Sequence, residues 1–300
     1  MTGERQLAHL HQLMQDYPQL TQLTDELRAL RGHQLDWPDW CFLPMSAAYG
    51  IISAQLRVPQ IPLDRVPDIA RIAALNPWRY TRGIYRFHPR LAATLNAATV
   101  DGDLPVEVFL RLPEWGIYVE LPEPVGGLAG AVLHGFYAHL EHDTNTGRAE
   151  LRILLDEDQG LHATLLHIGP WSLIEAVDRT VQEALQQARI HHAPAPGFDL
   201  GPATIDLTNR LTGLVSLLLY LCSDAAEMRT PARPGARPGR PRPTKTKRGW
   251  RLFQPKTVTV WDVGADIGPQ LSNSSEGYWH GATEGDRYRY RWITDTGGGV

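Results

Sequence analysis

The chain of 300 residues has little cysteine and lysine and contains no long apolar run. Its two cysteines form no C-x-x-C pattern, which argues against a disulfide scaffold and against a cysteine-based metal site. The longest apolar run, Leu214–Cys222, is too short to span a bilayer, and the polar N-terminus lacks the apolar core of a signal peptide. We therefore expect a cytoplasmic protein with no membrane partner, and no motif predicts a metal or a cofactor.

Charge is distributed unevenly along the chain. The net charge is −4, yet ten basic residues and no acidic residue lie between Arg229 and Lys256. This segment is rich in proline and glycine, which together with like charge predicts a mobile or polyproline-like loop. Clustered basic residues are typical of phosphate-binding segments, and a solvated loop without a specific role is the alternative. The candidates for nucleic-acid binding in this loop are Arg240, Arg242, Lys245, Lys247 and Arg248.

The periodicity of apolar residues predicts an α+β fold in which helices pack on a central antiparallel sheet. Residues 4–31 have helical spacing, and Ser172 with Glu175 forms a capping-box pattern at the start of a later helix. Short connections between apolar strands favour antiparallel pairing. The strands are predicted at 114–121, 131–141, 149–156, 162–168 and 258–263. Composition divides the chain into an N-terminal helical segment, an α+β core, the basic loop and C-terminal strands that complete the core, with ranges 1–36, 37–228, 229–251 and 252–296.

Aromatic and basic residues alternate near the C-terminus, over residues 288–292. On a strand, this alternation places rings on one face and guanidinium groups on the other. The stretch 284–286 predicts a turn, so residues 277–292 should form a β-hairpin. Rings and arginines on one hairpin can stack on and pair with nucleotides, whereas the alternative is an edge hairpin kept soluble by its arginines. The candidates here are Tyr278, Trp279, Arg289 and Arg291.

Four motifs follow one another along most of the chain: WRYTRGIY at 78–85, FLRLPEWGIYV at 109–119, LLLYLC at 217–222 and the hairpin segment at 277–292. In this order and spacing they resemble the second family of type V-A anti-CRISPR proteins and its homologues on phages, plasmids and other mobile elements. One segment differs, because residues 272–276 are neutral to acidic where the resemblance implies a basic, histidine-rich run.

The resemblance implies an activity that suppresses production of the type V-A CRISPR nuclease. Such a protein recognises the N-terminal peptide of the nuclease as it emerges from the ribosome, and the message being translated is lost. Its partners would be a nascent peptide and, in addition, the ribosome or the mRNA. The protein would then be a peptide-binding and RNA-binding protein that couples translation to mRNA decay.

Peptide recognition needs a groove with aromatic anchors, because rings provide a large contact area at low entropic cost. The alternative for each ring is a place in the core, where most aromatic side chains lie. The candidates for peptide binding are Trp78, Arg79, Tyr85, Trp115 and Tyr118.

Three functions of different classes stay open. The first is the non-enzymatic adaptor just described, which we favour. The second is a ribonuclease or other hydrolase, metal-assisted or not, in which His280 works with Asp262 or Glu276 as a general acid–base pair. The third is a mobile-element scaffold protein with another protein partner. No nucleotide-binding, esterase or zinc-protease motif is present, and a strand would place His139 and His142 on opposite faces, which argues against a shared metal.

Overall fold

The computed structural model describes residues 3–126, 131–190, 200–247, 249–271 and 277–294. The chain forms two compact units, and each is assembled from three stretches. Unit 1 comprises 1–86, 113–164 and 228–262, and unit 2 comprises 87–112, 165–227 and 263–300. Two of the four segments that composition marks, 37–228 and 252–296, therefore contribute to both units.

The chain begins with four helices, and strands and helices follow in mixed order. The helices are α1 (Glu4–Asp16), α2 (Leu20–Leu30), α3 (Met45–Leu56), α4 (Val66–Trp78), α5 (Pro89–Asn96), α6 (Val106–Phe109), α7 (Leu173–Ile190) and α8 (Leu200–Cys222). The strands are β1 (Gly83–Phe87), β2 (Thr99–Asp101), β3 (Asp103–Leu104), β4 (Gly116–Gly126), β5 (Val132–His142), β6 (Ala149–Glu157), β7 (Gly160–His167), β8 (Gly169–Ser172), β9 (Met228–Arg229), β10 (Thr244–Thr246), β11 (Gly249–Arg251), β12 (Thr259–Val263), β13 (Gly277–Glu284) and β14 (Arg287–Thr294). None of the helices in the described ranges is long and apolar enough to cross a membrane.

The largest sheet has seven strands in the order β7-β6-β5-β4-β1-β12-β9. Strands β4, β5 and β6 pair antiparallel, as their short connections predict. Strand β1 pairs parallel with β4, because the chain leaves the sheet after β1 and returns only after α5 and α6. The α+β class is therefore confirmed, with a mixed sheet instead of a purely antiparallel one.

Apolar side chains of α1 to α4 form the core of unit 1 together with one face of the sheet. A hydrogen-bonded carboxylate ties α1 to that face. The buried Asp156 of β6 accepts hydrogen bonds from Arg5 Nε (2.8 Å), Tyr118 Oη (2.9 Å) and His9 Nε2 (2.9 Å). Burial alone would raise the pKa of Asp156, but His9 and Arg5 outweigh burial and lower it. Gly135 makes room for this contact, because a Cβ there would meet the Tyr118 hydroxyl at 2.4 Å.

Unit 2 contains two features that the sequence predicts. At the start of α7, Ser172 N donates to Glu175 Oε2 (2.8 Å) and Glu175 N donates to Ser172 Oγ (3.4 Å), which confirms the capping box. Strands β13 and β14 form the predicted antiparallel hairpin, and Gly285 in its two-residue turn has φ 65. Strand β13 also pairs parallel with β2, so it is the central strand of a three-stranded sheet.

The basic segment has irregular backbone over residues 230–243 and then forms a short antiparallel pair, β10 with β11. The irregular part coincides with the prolines, which remove backbone donors and so disfavour strand pairing. The threonine- and lysine-containing end of the segment is free of proline and can pair. The expectation of a loop without secondary structure is therefore wrong for Thr244–Thr246 and Gly249–Arg251.

Candidate functional site

Four of the five predicted peptide-binding residues are buried. Trp78, Arg79, Tyr85 and Tyr118 each have 0% exposed surface. The Trp78 indole donates from Nε1 to the carbonyl of Gly83 (2.9 Å), which is typical of a structural ring. A side chain without exposed surface cannot contact a peptide in this fold, so these four do not line a surface groove. The sequence around these residues is equally compatible with buried and with exposed side chains.

Trp115 is the predicted ring that keeps exposed surface. Its centroid lies 5.3 Å from that of Phe42, and its Nε1 donates to the carbonyl of Asp39 (3.0 Å). The guanidinium carbon of Arg28, from α2, lies 4.2 Å from the Phe42 centroid and 5.2 Å from the Trp115 centroid. Arg31, three residues after Arg28, forms an ion pair with Asp39. We call these five residues, Arg28, Arg31, Asp39, Phe42 and Trp115, the Arg28 cluster.

The charge of Arg28 has no carboxylate partner within the described ranges of the chain. Its Nη1 donates to the carbonyl of Phe42 (2.7 Å), and among the described residues no acidic side chain forms an ion pair with it. Burial lowers the pKa of Arg28 to about 10, and the nearby charge of Arg31 acts in the same direction. The guanidinium therefore remains a cation at neutral pH, held by rings and one backbone carbonyl.

Arg79 is a second, fully buried guanidinium close to these rings. Its Nη1 donates to Thr21 Oγ1 (2.8 Å) and its Nη2 to Tyr80 Oη (2.8 Å). Tyr80 in turn packs against Phe42, with 5.4 Å between their centroids. Within the described ranges Arg79 also has no ion pair with a carboxylate, and burial lowers its pKa. Two arginines in this part of unit 1 are thus held by neutral groups.

Buried acidic side chains occur in unit 1 as well. Burial raises the pKa of Glu114 and of Glu141 to about 8 each. The Oε1 atom of Glu141 accepts a hydrogen bond from Met45 N (2.7 Å) at the first residue of α3. Glu114 lies against Gly83, where a Cβ would meet its Oε2 at 2.5 Å. These carboxyl groups are at least partly protonated at neutral pH, which reduces the cost of their burial.

The histidines of β5 form no metal site with their neighbours. His139 and His142 are three positions apart on this strand and therefore point to opposite faces, as the sequence predicts. Burial, followed by the charge of Arg152, lowers the pKa of His139 to about 3, so its ring is neutral. Across the described parts of the chain, no group of three His, Cys, Asp or Glu side chains is arranged to hold a metal ion.

The rings of the unit 2 hairpin are structural. Trp279 is buried, donates from Nε1 to Ser216 Oγ (2.7 Å) and lies 5.3 Å from the ring of Trp292, its cross-strand neighbour. Tyr278, on the other face of β13, is half-buried. Of the two, Tyr278 is the one that could stack on a base.

The predicted arginines of this hairpin have carboxylate partners. Arg289 Nη1 donates to Asp224 Oδ2 (2.6 Å), and Arg111 pairs with the same carboxylate. Arg291 Nε lies 2.6 Å from Glu284 Oε1. A cavity of about 540 Å³ beside the hairpin is lined by equal numbers of acids and arginines, together with Tyr288; the charged residues are Glu107, Asp224, Asp286, Arg111, Arg287 and Arg289. This surface therefore has no net positive charge with which to attract phosphate.

The basic segment presents its charges to solvent. Arg242, Lys245 and Lys247 are exposed, whereas Arg240 is half-buried and its pKa is lowered by burial. Arg248 lies outside the described residues, as does the stretch 272–276. These three exposed cations are accessible to a ligand, whereas Arg289 and Arg291 of the hairpin are paired with carboxylates.

His280, the candidate catalytic residue, is exposed on β13. Its Nδ1 lies 3.1 Å from Asp101 Oδ2, a pairing that follows from the register of β13 with β2. Asp262 belongs to unit 1, and Glu276 lies outside the described residues. The structure therefore pairs His280 with a carboxylate that the sequence did not indicate.

Sequence reasoning also missed Arg28 and Phe42. A signal for Arg28 exists, because Leu20, Thr24 and Arg28 follow one another at intervals of four on α2 and the first two are fully buried. A charged residue that continues a buried row points toward the core, where it needs partners. Phe42 gave no such signal, since its role depends on the approach of α2.

Comparisons with known proteins agree with the motifs in the sequence. Residues 85–296 match the AcrVA2-like family, described as the anti-CRISPR type V subtype A2 family. A crystal structure of AcrVA2 is similar to this chain with a TM-score of 0.67 and 19% sequence identity, covering 97% of this chain and 98% of the other. At that identity the likeness concerns the fold. No curated protein sequence matches the chain.

Proposed function

Because the chain belongs to the anti-CRISPR type V subtype A2 family, we propose that it recognises the N-terminal peptide of a type V-A CRISPR nuclease while that peptide is being synthesised. Recognition would lead to loss of the translated mRNA and so block production of the nuclease. The family match over residues 85–296 is the observation that carries this proposal. The partners would be the nascent peptide together with the ribosome or the mRNA.

The Arg28 cluster supports the peptide-binding part of the proposal. Trp115 has exposed ring surface, and its indole N–H is already bonded to the backbone, so a ligand can use the ring face without displacing a hydrogen bond of the indole. Tryptophan and arginine are among the residue types that most often dominate the binding energy at protein interfaces.

The basic segment supports the RNA-directed part. Its exposed side chains Arg242, Lys245 and Lys247 can neutralise phosphates, whereas Arg289 and Arg291 of the hairpin are engaged by Asp224 and Glu284. We therefore assign contact with the ribosome or mRNA to the segment. Deletion of residues 230–249 should weaken ribosome association and reduce its dependence on salt.

A reporter experiment separates recognition of the peptide from recognition of the RNA. The first codons of a type V-A nuclease are fused to a reporter gene and expressed with or without this protein, and reporter mRNA is measured. One reporter is recoded with synonymous codons, so that the peptide is kept and the RNA changes. A second carries compensating frameshifts, so that nearly all of the RNA is kept and the peptide changes.

We expect mRNA loss with the original and the recoded reporter and no loss with the frameshifted one. Loss that follows the nucleotide sequence instead of the peptide would contradict the proposal. Equal mRNA levels in all three, with and without the protein, would also contradict it. Affinity capture of the protein from cells, followed by identification of bound chains and messages, would separate this function from that of a scaffold with another protein partner.

A hydrolase remains the second candidate because His280 and Asp101 form an exposed histidine–carboxylate pair. Such a pair can hold an imidazole in one tautomer for general acid–base chemistry. Purified protein would be incubated with RNA, with and without divalent metal ions. Cleavage that disappears in His280→Ala would favour the hydrolase over an adaptor, and cleavage that persists in the variant would assign it to a contaminant.

A further inference from the structure

We infer that the Arg28 cluster is a binding site for a carboxylate, and that the recognised peptide presents an acidic side chain to Arg28. The existence of the site follows from its own geometry. The identity of its ligand as a peptide rests on the proposed function.

Arg28 has donors to spare. A guanidinium carries five N–H groups, and the structure uses Nη1 of Arg28 for one bond to the carbonyl of Phe42. In the part of the chain that the structure describes, no carboxylate pairs with the remaining donors. A carboxylate is the natural ligand for these donors, because it accepts two parallel hydrogen bonds from one guanidinium.

The guanidinium is also held in place before any ligand arrives. Phe42 and Trp115 approach it at 4.2 and 5.2 Å, and the bond to the Phe42 carbonyl fixes its rotation. Phe42 is buried and Trp115 is half-buried, so ring contacts restrict the side chain while leaving one side toward solvent. A pre-ordered arginine loses less entropy on binding than a mobile one.

Neighbouring charges favour a single anionic group at this place. Arg31 lies one turn from Arg28, and its partner Asp39 has a side chain that is 87% exposed, so an incoming carboxylate can share Arg31 with Asp39 or replace it. Arg79, which is fully buried and has no ion pair among the described residues, adds another cation, while the charge of Asp25 acts on both Arg28 and Arg79 in the opposite sense. Arg31 and Arg79 both raise the affinity for one negative charge.

The same surroundings disfavour RNA. Asp25, Glu26, Asp36 and Asp39 lie on or just after α2, so the segment that carries Arg28 and Arg31 has more acids than bases. A polyanion would have to bring several phosphates close to these carboxylates. One acidic side chain flanked by apolar residues avoids that repulsion and can pack on the Trp115 ring.

The test uses the full-length protein and a pair of capped peptides, Ac-Ala-Leu-Glu-Leu-Ala-NH2 and its glutamine counterpart. Binding is followed by NMR through the side-chain Nε–Hε signal of Arg28 and the indole Nε1–Hε1 signal of Trp115. The glutamate peptide should shift both signals and bind at least about tenfold more tightly than the glutamine peptide, since only the carboxylate forms charge-assisted bonds. A uridine hexamer is the third probe. Equal binding of the two peptides, tighter binding of the hexamer at Arg28, or no shift of either signal would overturn the inference.

Variants locate the effect. Arg28→Gln removes the charge, and Arg28→Lys keeps the charge but loses the paired N–H donors of the guanidinium. Arg71→Gln is a matched control, because Arg71 also lies in unit 1 but already pairs with Asp68 (3.1 Å). We expect loss of the preference for glutamate in Arg28→Gln, a partial loss in Arg28→Lys and no change in Arg71→Gln. If Arg28→Gln does not fold, the peptide pair on the native protein decides the question.

A further experiment distinguishes failure of this inference from failure of the proposed function. The nuclease reporter is also prepared with each acidic residue of its N-terminal peptide changed to the amide. If mRNA loss persists in every amide reporter, the assignment of an acidic side chain of the nascent peptide to Arg28 is wrong while peptide recognition stands. If the glutamate peptide binds at Arg28 but no reporter loses mRNA, the site stands and the proposed function is wrong.

Discussion

Two groups of arginines and rings in this protein, one in each unit, balance their charge in opposite ways. In the unit 2 hairpin, Arg289 and Arg291 each have a carboxylate partner at 2.6 Å. In unit 1, Arg28 and Arg79 have rings, hydroxyls and a carbonyl instead, with no acidic partner in the described residues. An arginine that is paired with a carboxylate of the same protein links two parts of the fold. An arginine without such a pair can still bind the carboxylate of a ligand. The difference therefore favours unit 1 as the surface that recognises a peptide.

Two buried acids of unit 1 also lack an ion pair among the described residues, whereas the buried Asp156 and Asp68 of the same unit have one. Glu114 and Glu141 are nearly inaccessible, and among the described residues neither forms an ion pair. Raised pKa values allow these carboxyl groups to be buried in neutral form. Glu114 and Glu141 are thus buried without an ion pair, whereas the ionisable side chains Arg289 and Arg291 of the hairpin are neutralised by pairing.

The largest effect that separates the two groups should come from their tryptophans. Trp279→Ala should destabilise the protein by about 3–5 kcal/mol, because it removes a buried ring and leaves Ser216 without its donor. Trp115→Ala should cost only about 1–2 kcal/mol, because that ring is half-exposed. Urea unfolding would measure both free energies. A loss at Trp115 as large as that at Trp279 would mean that Trp115 is a core ring, and the contrast between the groups would disappear.

A smaller effect should appear in the pH dependence of stability. Glu141 has a folded-state pKa of about 8, above its ordinary value of 4.5, so between these values the folded protein retains a proton that the unfolded chain releases. Stability is therefore expected to fall as pH rises from about 5 to 8. Glu141→Gln keeps the acceptor for Met45 N and removes this titration, so at pH 8 it should be more stable than the native protein by up to about 4 kcal/mol.

The matched control for this titration is Glu175→Gln, since the exposed Glu175 carboxylate accepts hydrogen bonds from the backbone N–H and hydroxyl of Ser172, which hold its pKa below the ordinary value. Its contribution is present above its ordinary pKa and is lost only as pH falls below that range, so it should not alter the slope between pH 5 and 8. Thermal unfolding at several pH values would test both variants. The same slope in Glu141→Gln and in the native protein would show that Glu141 is ionised in the folded state.

The smallest effect is expected at the paired arginines. Asp224→Asn removes the carboxylate that Arg289 and Arg111 share, but its side chain is 62% exposed. Solvent-exposed pairs contribute little, so the loss should stay below about 1 kcal/mol and should shrink further at high salt. Urea unfolding at low and high salt measures it. A loss of several kcal/mol would show that the hairpin depends on this charge network more than its exposure indicates.

Much of the fold could be predicted from the sequence, because the decisive signals are local. The capping box at Ser172 and Glu175, the turn at Gly285 and the alternation along β13 and β14 depend on residues a few positions apart. The parallel pairing of β1 with β4 could not be predicted in this way. It depends on where the chain returns after α5 and α6, and no local pattern records that path.

The candidate site was harder to predict for a related reason. An aromatic residue has the same local sequence pattern whether its side chain is covered or open. Trp78 at the end of α4, and Tyr85 and Tyr118 on strands, therefore could not be told from Trp115. Likewise, Arg289 and Arg79 are both arginines beside tyrosines in the sequence. In the tertiary structure Arg289 pairs with the carboxylate of Asp224, whereas Arg79 has no such pair among the residues that the structure describes.

The interleaved path of the chain has a consequence for how the protein is made and dissected. The seven-stranded sheet receives β9 and β12 only from the stretch 228–262, after most of unit 2 has been synthesised. That sheet cannot be completed on the ribosome until residue 263, at the end of β12, has been added. For the same reason a single cut in the backbone frees neither unit intact, so truncated fragments are poor substitutes for the whole protein in any binding assay.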